Sequence, residues 1–451
     1  MVSRRLLTPV TAPLLALLVV SILSLAARSL FLDEPCMSPC TQAAQHTLIF
    51  DEAYYVNAAR VIAGIRPPPG SHYADAPLGT DPNAEHPQGA KLIMAAAIDL
   101  FGDGPFAWRI GSLLMGSVAI VGMFALMRSA GAGRGTAVGA AALMAADNLL
   151  LVMGRIGTLD IYVVAAMIWA VALYVRGRPV AAGIALAVAT CFKEVAPYAL
   201  FVVLLVELGR LGVARRDRTA PADWRLGAAV SRLAAATFTT CGMFVGLLAL
   251  MGEIATPYAD SEAKLITGGP FAEISHIITY ASGLTSPHGP TGIASYPWLW
   301  LVDIKPILYL RINPSLPGHG LNAIHPVVAF YGMISPPILL VGMPGLVFCA
   351  YRLLRRGRRE GRFWKADREV PILAIAWFIG TWLPFALQSL IDQRTSYLYY
   401  MVIVMPGIYA AASYVVVLAW RRRTWLSALT VVWGLGVLVA VVLMYPFVAV
   451  F

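Results

Sequence analysis

Charge is scarce in this sequence. Acidic and basic residues make up 13% of its 451 positions, against roughly 25% in a soluble globular chain. So few charges cannot coat a water-exposed surface, which excludes an ordinary soluble protein. Cysteine is also scarce, with five in all. Cys191, Cys241 and Cys349 lie in apolar runs and read as inert packing residues. Cys36 and Cys40 sit just past the first apolar run, in Pro35-Cys-Met-Ser-Pro-Cys40. An oxidising compartment would let them pair, and a reducing one would leave two free thiols. No further ligands stand at metal-site spacing, so no metal centre is expected. The chain also lacks an internal repeat and a low-complexity tract, which counts against the repeat-built secondary transporters.

What fills the sequence is apolar. Hydrophobic residues reach 59% and the mean hydropathy is +0.72. Runs near 20 apolar residues recur along the whole length, so the solvent of most of the chain is lipid. Hydropathy places eleven spans near 7–30, 106–127, 135–153, 157–175, 179–192, 195–208, 227–252, 326–351, 370–391, 396–419 and 425–448. The first follows Arg4 and Arg5 and is longer than a signal-peptide core, so it reads as an uncleaved span. The spans 179–192 and 195–208 are short for a hydrocarbon core of about 30 Å. They read as a hairpin whose tip, Lys193-Glu194, is recessed toward the membrane.

The net charge of +10 does not point to nucleic acid, because the basic residues cluster in short loops between spans. With the N-terminus inside, 23 of the 34 basic residues fall in inner loops and 18 of the 24 acidic ones fall at the outer side. The positive-inside rule therefore predicts a cytoplasmic N-terminus, an outer C-terminus and two long outer segments, about 31–105 and 253–325. Long loops in a compact protein usually carry function. Pro87 to Phe101 is amphipathic and too short to span, so an interfacial helix is expected there.

Ionisable residues cluster toward that outer side: Asp51, Glu52, His86, Lys91, Arg109, Arg155, Asp160, Lys193, Glu194 and Arg394. Charges at a bilayer edge are costly unless paired or solvated. Ten together predict an outward-opening polar cavity. Asp51 begins a helical stretch that ends near Gly64. It reads either as a helix cap or as a general base for an acceptor hydroxyl, and both can hold. Lys91 reads as snorkelling at the interface or as part of the site. Arg155 and Asp160 are five apart, so each should find a different partner. Asp147 reads as the partner of an Arg or as a catalytic group. Lys193 and Arg394 sit at tips between spans, where a lipid phosphate would rest against cations. Tyr397, Tyr399 and Tyr400 follow Arg394 and read equally as an interfacial belt.

Taken in order, these motifs resemble one family. Asp51-Glu52, then His86-Pro-Gln-Gly-Ala-Lys91, then Arg109 is similar to the protein O-mannosyltransferase family of GT-C glycosyltransferases. That family has an Asp-Glu pair in its first outer loop and a His-Pro-Pro-Leu-Gly-Lys motif soon after. Ala294-Ser-Tyr-Pro-Trp-Leu-Trp300 with Lys305-Pro306 resembles its Ser-x-Pro-Trp-x-Trp…Arg-Pro signature. Leu383-Pro384 with Arg394-Thr-Ser-Tyr-Leu-Tyr-Tyr400 resembles its late Arg…Tyr-Tyr…Pro segment. Gln88-Gly89-Ala90 departs from the family's Pro-Leu-Gly, Asn322-Ala-Ile-His325 matches loosely, and the carbohydrate-binding module of eukaryotic members has no counterpart.

The resemblance implies an all-α, GT-C-type membrane bundle. Residues 1–252 would form the N-terminal transmembrane module with a catalytic loop at 31–105, 253–325 an extracytoplasmic loop, and 326–451 the C-terminal helices. It implies an inverting transfer of a sugar, mannose in that family, from a polyprenyl-phosphate carrier to a protein Ser or Thr at the outer face of the cell membrane. Asp51 would be the base, Glu52 its helper at the acceptor, and His86, Lys91 and Arg109 supports for acceptor or loop. Lys193 and Arg394 would hold the donor phosphate. Arg155, Asp160, Glu194, Trp298 and Trp300 would complete the polar cavity. No metal or cofactor is implied, and a translocating acceptor would bring association with the export machinery. The absence of a Gly-rich phosphate loop fits a lipid-linked donor rather than a soluble nucleotide sugar. A related transferase acting on a glycolipid or cell-wall glycan, or a transporter of a lipid-linked substrate, are the competing expectations.

Overall fold

The structure is a computed structural model. It describes residues 11–37, 40–216, 221–312, 328–354 and 364–448. Arg4, Arg5 and Asn322-Ala-Ile-His325 lie outside the described residues.

The fold is helical apart from two small antiparallel pairs. The first half runs α1 (Thr11–Ser29), α2 (Glu52–Ile62), α3 (Gly89–Phe101), α4 (Pro105–Ser129), α5 (Arg134–Ala146), α6 (Asn148–Met153), α7 (Asp160–Val175) and α8 (Pro179–Phe192). Then follow α9 (Tyr198–Arg216), α10 (Leu226–Ile254), β1 (Tyr258–Ala259), β2 (Lys264–Leu265), α11 (Gly269–Gly283), β3 (Ile307–Ile312) and β4 (Val328–Gly332). The last helices are α12 (Pro336–Leu354), α13 (Trp364–Ile391), α14 (Met401–Arg421) and α15 (Trp425–Leu443). Among the described residues, seven helices are long and apolar enough to cross a membrane: α1, α4, α10, α12, α13, α14 and α15. Helices α7 and α8 are apolar but shorter. The chain is a multi-pass membrane protein.

Burial follows position in the bundle. Helix α14 is enclosed from Met401 to Tyr414 and packs on α13, α12 and α5. Helix α15 buries only Val437 and Ala440; its remaining apolar surface suits lipid rather than water. On the other side α7 packs between α4 and α8, and α8 packs on α10.

A helix stands at each expected span, with instructive departures. The span 135–153 is broken at Asp147, whose extended backbone separates α5 from α6. Asp147 partners neither an Arg nor a cavity. It accepts from the Ser335 N–H at 2.7 Å and the Tyr409 hydroxyl at 2.6 Å, tying the break to α12 and α14. Residues 328–332 are not the start of a span. They form β4, paired with β3, and the helix begins only at Pro336, where the missing N–H of proline is harmless. Helix α9 runs on to Arg216 because its charges pair: Arg210 with Glu369 and with Glu207 (3.0 Å), and Glu207 with Arg232 (2.7 Å).

The interfacial helix opens at Gly89 rather than Pro87. Gly89 is needed there, because a Cβ would lie 2.6 Å from the Cys191 carbonyl oxygen at the end of α8. That close seat brings α3 against the Lys193-Glu194 tip. Ile93, Leu100 and Phe101 remain exposed on α3, the apolar stripe expected of a helix lying in an interface.

Two ends of the bundle differ in chemistry. The basic clusters occupy the turns α4–α5, α7–α8 and α14–α15. The α8–α9 and α13–α14 turns lie at the other ends of those helices, and there the loop preceding α2 and the segment around α11 gather.

Candidate active site

The site starts from a strained turn. Phe50 takes a left-handed backbone, φ 55°, which is uncommon for a bulky residue and tends to mark functional positions. It is held by stacking on Tyr309 at 4.1 Å and by an edge contact with Tyr399 at 5.4 Å. The next residue, Asp51, stands at the helix cap position, yet its side chain caps nothing. Among the described residues no hydrogen bond or ion pair engages its carboxylate. The capping alternative is therefore not realised, and the carboxylate faces a cavity.

That cavity has a volume of about 270 Å³ and a wall of Asp51, Tyr54, Tyr55, Asn83, Glu85, His86, Glu194, Arg394 and the tyrosines 397, 399 and 400, among others. Burial pushes the Asp51 carboxyl up to about 7, with Lys193 acting in the opposite sense. A carboxylate poised near neutrality is suited to accept a proton.

The adjacent carboxylate has a different fate. Glu52 is fully buried. It accepts from Arg109 Nε and Nη2, both at 2.8 Å, from the Ile49 N–H at 2.8 Å and from the Gly157 N–H at 2.7 Å. Its lone pairs are committed to the protein, so the expectation that Glu52 helps at the acceptor is corrected: it clamps the loop. Arg109 does support that loop. Its Nη1 also donates to the Leu32 carbonyl at 2.5 Å and the Glu34 carbonyl at 3.2 Å. The Arg109–Glu52 pair thus joins α4, the segment after α1, α2 and the α6–α7 turn.

Lys91 is not a snorkelling residue. It is fully buried, pairs with Asp81 at 2.5 Å and donates to the carbonyls of Asn83 (2.5 Å) and His86 (2.9 Å). It thereby fixes the curl of chain that carries Asn83, Glu85 and His86 to the cavity. His86 Nδ1 donates to Glu194 at 2.7 Å. Burial alone would raise the Glu194 carboxyl, but His86 and Lys193 outweigh it and hold the group at about 2. Glu194 is therefore an anion on the cavity wall.

The two proposed phosphate ligands separate. Arg394 lines the cavity and donates to the Ala281 carbonyl through Nη1. Lys193 does not reach the wall. It is buried, paired with Asp160 at 2.8 Å, and lies 5.4 and 5.2 Å from the ring centres of Tyr399 and Tyr400. A cation so enclosed acts through its field rather than by contact. Asp160, paired with Lys193, likewise does not line this cavity. Arg155 and Asp160 do find different partners, but Arg155 also lies away from the cavity. It donates to the Leu30 carbonyl at 2.7 Å and packs on the Phe447 ring at 4.7 Å.

The aromatic signature around 294–300 acts at one remove. Trp300 is buried, donates to Ser295 Oγ at 2.9 Å and sets its edge on Phe385 and Tyr400. Ser295 N–H donates to the Ser396 carbonyl at 2.8 Å, and Lys305 donates to the Ala294 carbonyl at 2.7 Å. The motif fastens the second loop to the Arg394–Tyr400 segment. Trp298 stacks on Tyr296 at 4.5 Å and is half-exposed. Neither tryptophan lines the cavity. Tyr54, Tyr55, Tyr73, Asn83 and Tyr280 do, and the sequence reading did not single them out. The first two directly follow the Asp51-Glu52 pair, a signal that could have found them. Tyr280 reaches the wall only because α11 folds back over it.

Cys36 and Cys40 form a disulfide, so the two sulfurs beside His46 are not thiolate ligands.

Comparison with known proteins finds relatives in sequence and in fold. Residues 85–220 match the family model described as dolichyl-phosphate-mannose-protein mannosyltransferase. That stretch holds the His86–Lys91 motif, Arg109, Lys193 and Glu194, and not Asp51. A polyprenol-phosphate-mannose–protein mannosyltransferase of Corynebacterium glutamicum is 33% identical over 123 residues, 27% of this chain and 23% of that protein. The chain thus matches under a quarter of the length of that relative. Among solved structures, the Saccharomyces cerevisiae protein O-mannosyltransferase Pmt1–Pmt2 complex bound to its sugar donor superimposes with a TM-score of 0.69 at 12% identity, over 99% of this chain and 90% of that one. The Archaeoglobus fulgidus oligosaccharyltransferase AglB, in complex with an inhibitory peptide and a dolichol-phosphate, reaches 0.54 at 13% identity, over 96% and 55%. ArnT of Cupriavidus metallidurans bound to undecaprenyl phosphate reaches 0.52 at 17% identity, over 96% and 64%. The chain is O-mannosyltransferase-like, with a GT-C-type fold.

Proposed function

We propose that this chain is an inverting glycosyltransferase that moves mannose from a polyprenyl-phosphate carrier to a Ser or Thr hydroxyl of a protein, at the extracytoplasmic face of the membrane. One observation carries the reading: Asp51, an unpaired carboxylate held near neutrality, shares a small cavity with Arg394. The acceptor hydroxyl oxygen attacks the anomeric carbon and gives its proton to Asp51. The bond from that carbon to the phosphate oxygen breaks, and the polyprenyl phosphate leaves with the electron pair. This leaving group is already a stable anion, so it needs a cation at its oxygens rather than a general acid. Arg394 offers that cation in a planar fork. The step balances without a metal or a cofactor.

Support for the donor comes from the sugar donor named in the Pmt1–Pmt2 structure and from the dolichol-phosphate and undecaprenyl phosphate named in the other two. Support for the protein acceptor comes from the sequence relative. Support for the side of the membrane comes from the basic clusters, which stand at the opposite end of the bundle from the cavity. The reading is tested with purified protein, radiolabelled mannose on synthetic polyprenyl phosphate and a Ser/Thr-rich peptide. Label should pass to the peptide. Transfer only to membrane glycolipid would replace the acceptor, and an untouched donor with every acceptor would reject the enzyme.

Arg394→Ala should raise the KM for the donor by about tenfold or more. The loss corresponds to a charge-assisted contact of about 1.5–3 kcal/mol, and Arg394→Lys should recover part of it. A donor KM unchanged in both variants would remove Arg394 from the phosphate site.

A further inference from the structure

A second cavity opens beside the first. It has a volume of about 460 Å³ and is lined by Leu48, Ala53, Asn57, His72, Tyr73, Asp75 and Asp260, among others. Tyr73 belongs to both walls. Ala53 and Asn57 stand on α2 two and six positions beyond Asp51, so the helix that carries the carboxylate also floors the second basin.

An aromatic ledge joins the two. Tyr54 stacks on His72 at 4.0 Å, and both rings lie near Tyr73, at 6.4 and 6.1 Å. Asn83 braces the ledge from behind, donating from Nδ2 to the Tyr73 hydroxyl at 3.0 Å and to Glu85 at 2.9 Å. Its Oδ1, on a residue 95% buried at the wall of the reaction cavity, has no hydrogen-bond partner. A buried acceptor left unpaired is unfavourable.

Charge gives the basin a sign. Asp75 and Asp260 both line it, with His72 as the facing titratable group. Burial raises the Asp260 carboxyl, and Asp75 adds to the rise while His72 opposes it, as expected of two carboxylates sharing one space. Arg66 reaches the same turn, but its Nη1 is engaged by the Ala74 carbonyl at 2.7 Å.

Resting on the proposed transfer to a protein hydroxyl, we propose that this basin is an acceptor subsite, in which the polypeptide crosses the Tyr54–His72 ledge and places a cationic flanking residue between Asp75 and Asp260. The reaction cavity of about 270 Å³ has room for the sugar and one acceptor side chain. The neighbouring acceptor residues must lie beyond Tyr73. The selectivity is electrostatic and solvent-screened, so it is modest and weakens with salt.

The test uses the purified full chain, polyprenyl-phosphate mannose and peptides with one Thr flanked by Lys, Ala or Glu. Peptide binding is measured separately by fluorescence anisotropy. Lys-flanked peptide should exceed Glu-flanked peptide by about fivefold in kcat/KM, the scale of exposed charge pairs. Asp75→Asn with Asp260→Asn should erase that difference, and Asp75→Lys with Asp260→Asn should reverse its sign. Equal use of the three peptides by the unaltered protein, or a preference that survives the double substitution, overturns the subsite. Charge-dependent binding without transfer would keep the subsite and reject the proposed reaction. Transfer without charge dependence would do the converse.

Discussion

Asp51→Asn abolishes transfer, with kcat reduced by about 10²–10⁴, the range for loss of a general base, while the donor still binds. The same substitution stabilises the fold at alkaline pH. Both outcomes follow from one environment. Asp51 sits without a partner in a cavity whose enclosure pushes its carboxyl up to about 7. Only the ionised form accepts a proton, so the rate of the unaltered protein should rise with pH through about 7 and then level off. The stability effect has the opposite slope. A carboxyl raised in the folded state contributes stability below its unfolded value, and that contribution is lost as pH rises through about 7. At pH 8 the ionised group is a half-buried anion with no partner among the described residues, and the neutral amide removes it. Melting temperature in detergent should therefore be higher for the Asn variant at pH 8, with the gap closing toward pH 5. A variant that keeps its rate, or a flat pH–rate profile between pH 5 and 8, would remove Asp51 as the base.

Substitution of Glu52 or Arg109 is expected to fail in a different way. Glu52→Ala leaves Arg109 buried without its anion, and Arg109→Met leaves Glu52 without its cation. Breaking a buried pair from one side costs about 3–5 kcal/mol, a large part of the 5–15 kcal/mol that keeps a typical domain folded. Thermal unfolding should show both single variants strongly destabilised. The double variant should be less destabilised than the sum of the two, because no charge is then left alone. Activity should track the folded fraction. If Glu52→Gln instead keeps the melting temperature and loses the rate, Glu52 acts on the acceptor after all.

These adjacent carboxylates show how far a linear reading reaches. Asp51 and Glu52 are chemically similar neighbours, and nothing in the sequence says which one faces the cavity. The left-handed turn at Phe50 and the four donors converging on Glu52 decide it. Lys91 and Lys193 repeat the lesson. Both read as cations at a membrane edge, and both are buried against aspartates on other segments of the chain. A carboxylate that stands ten residues before its lysine, as Asp81 does, or thirty-three, as Asp160 does, leaves no periodic trace.

By itself the sequence determined the solvent of this protein and the rhythm of its helices. Apolar runs of that length have one favourable environment, and the basic turns give them an order of alternation. It also determined where chemistry would gather, since charges near a bilayer persist only where something pairs or solvates them. Tertiary structure alone decided which charges remain free. Pairing depends on side chains meeting across α3, α7, the end of α8 and the loop between α2 and α3, and a buried ion without a partner is too costly to leave to chance. Among the described charged residues that line the reaction cavity, Arg394 and Asp51 are two that make no ion pair, and that selection is a property of the packed bundle.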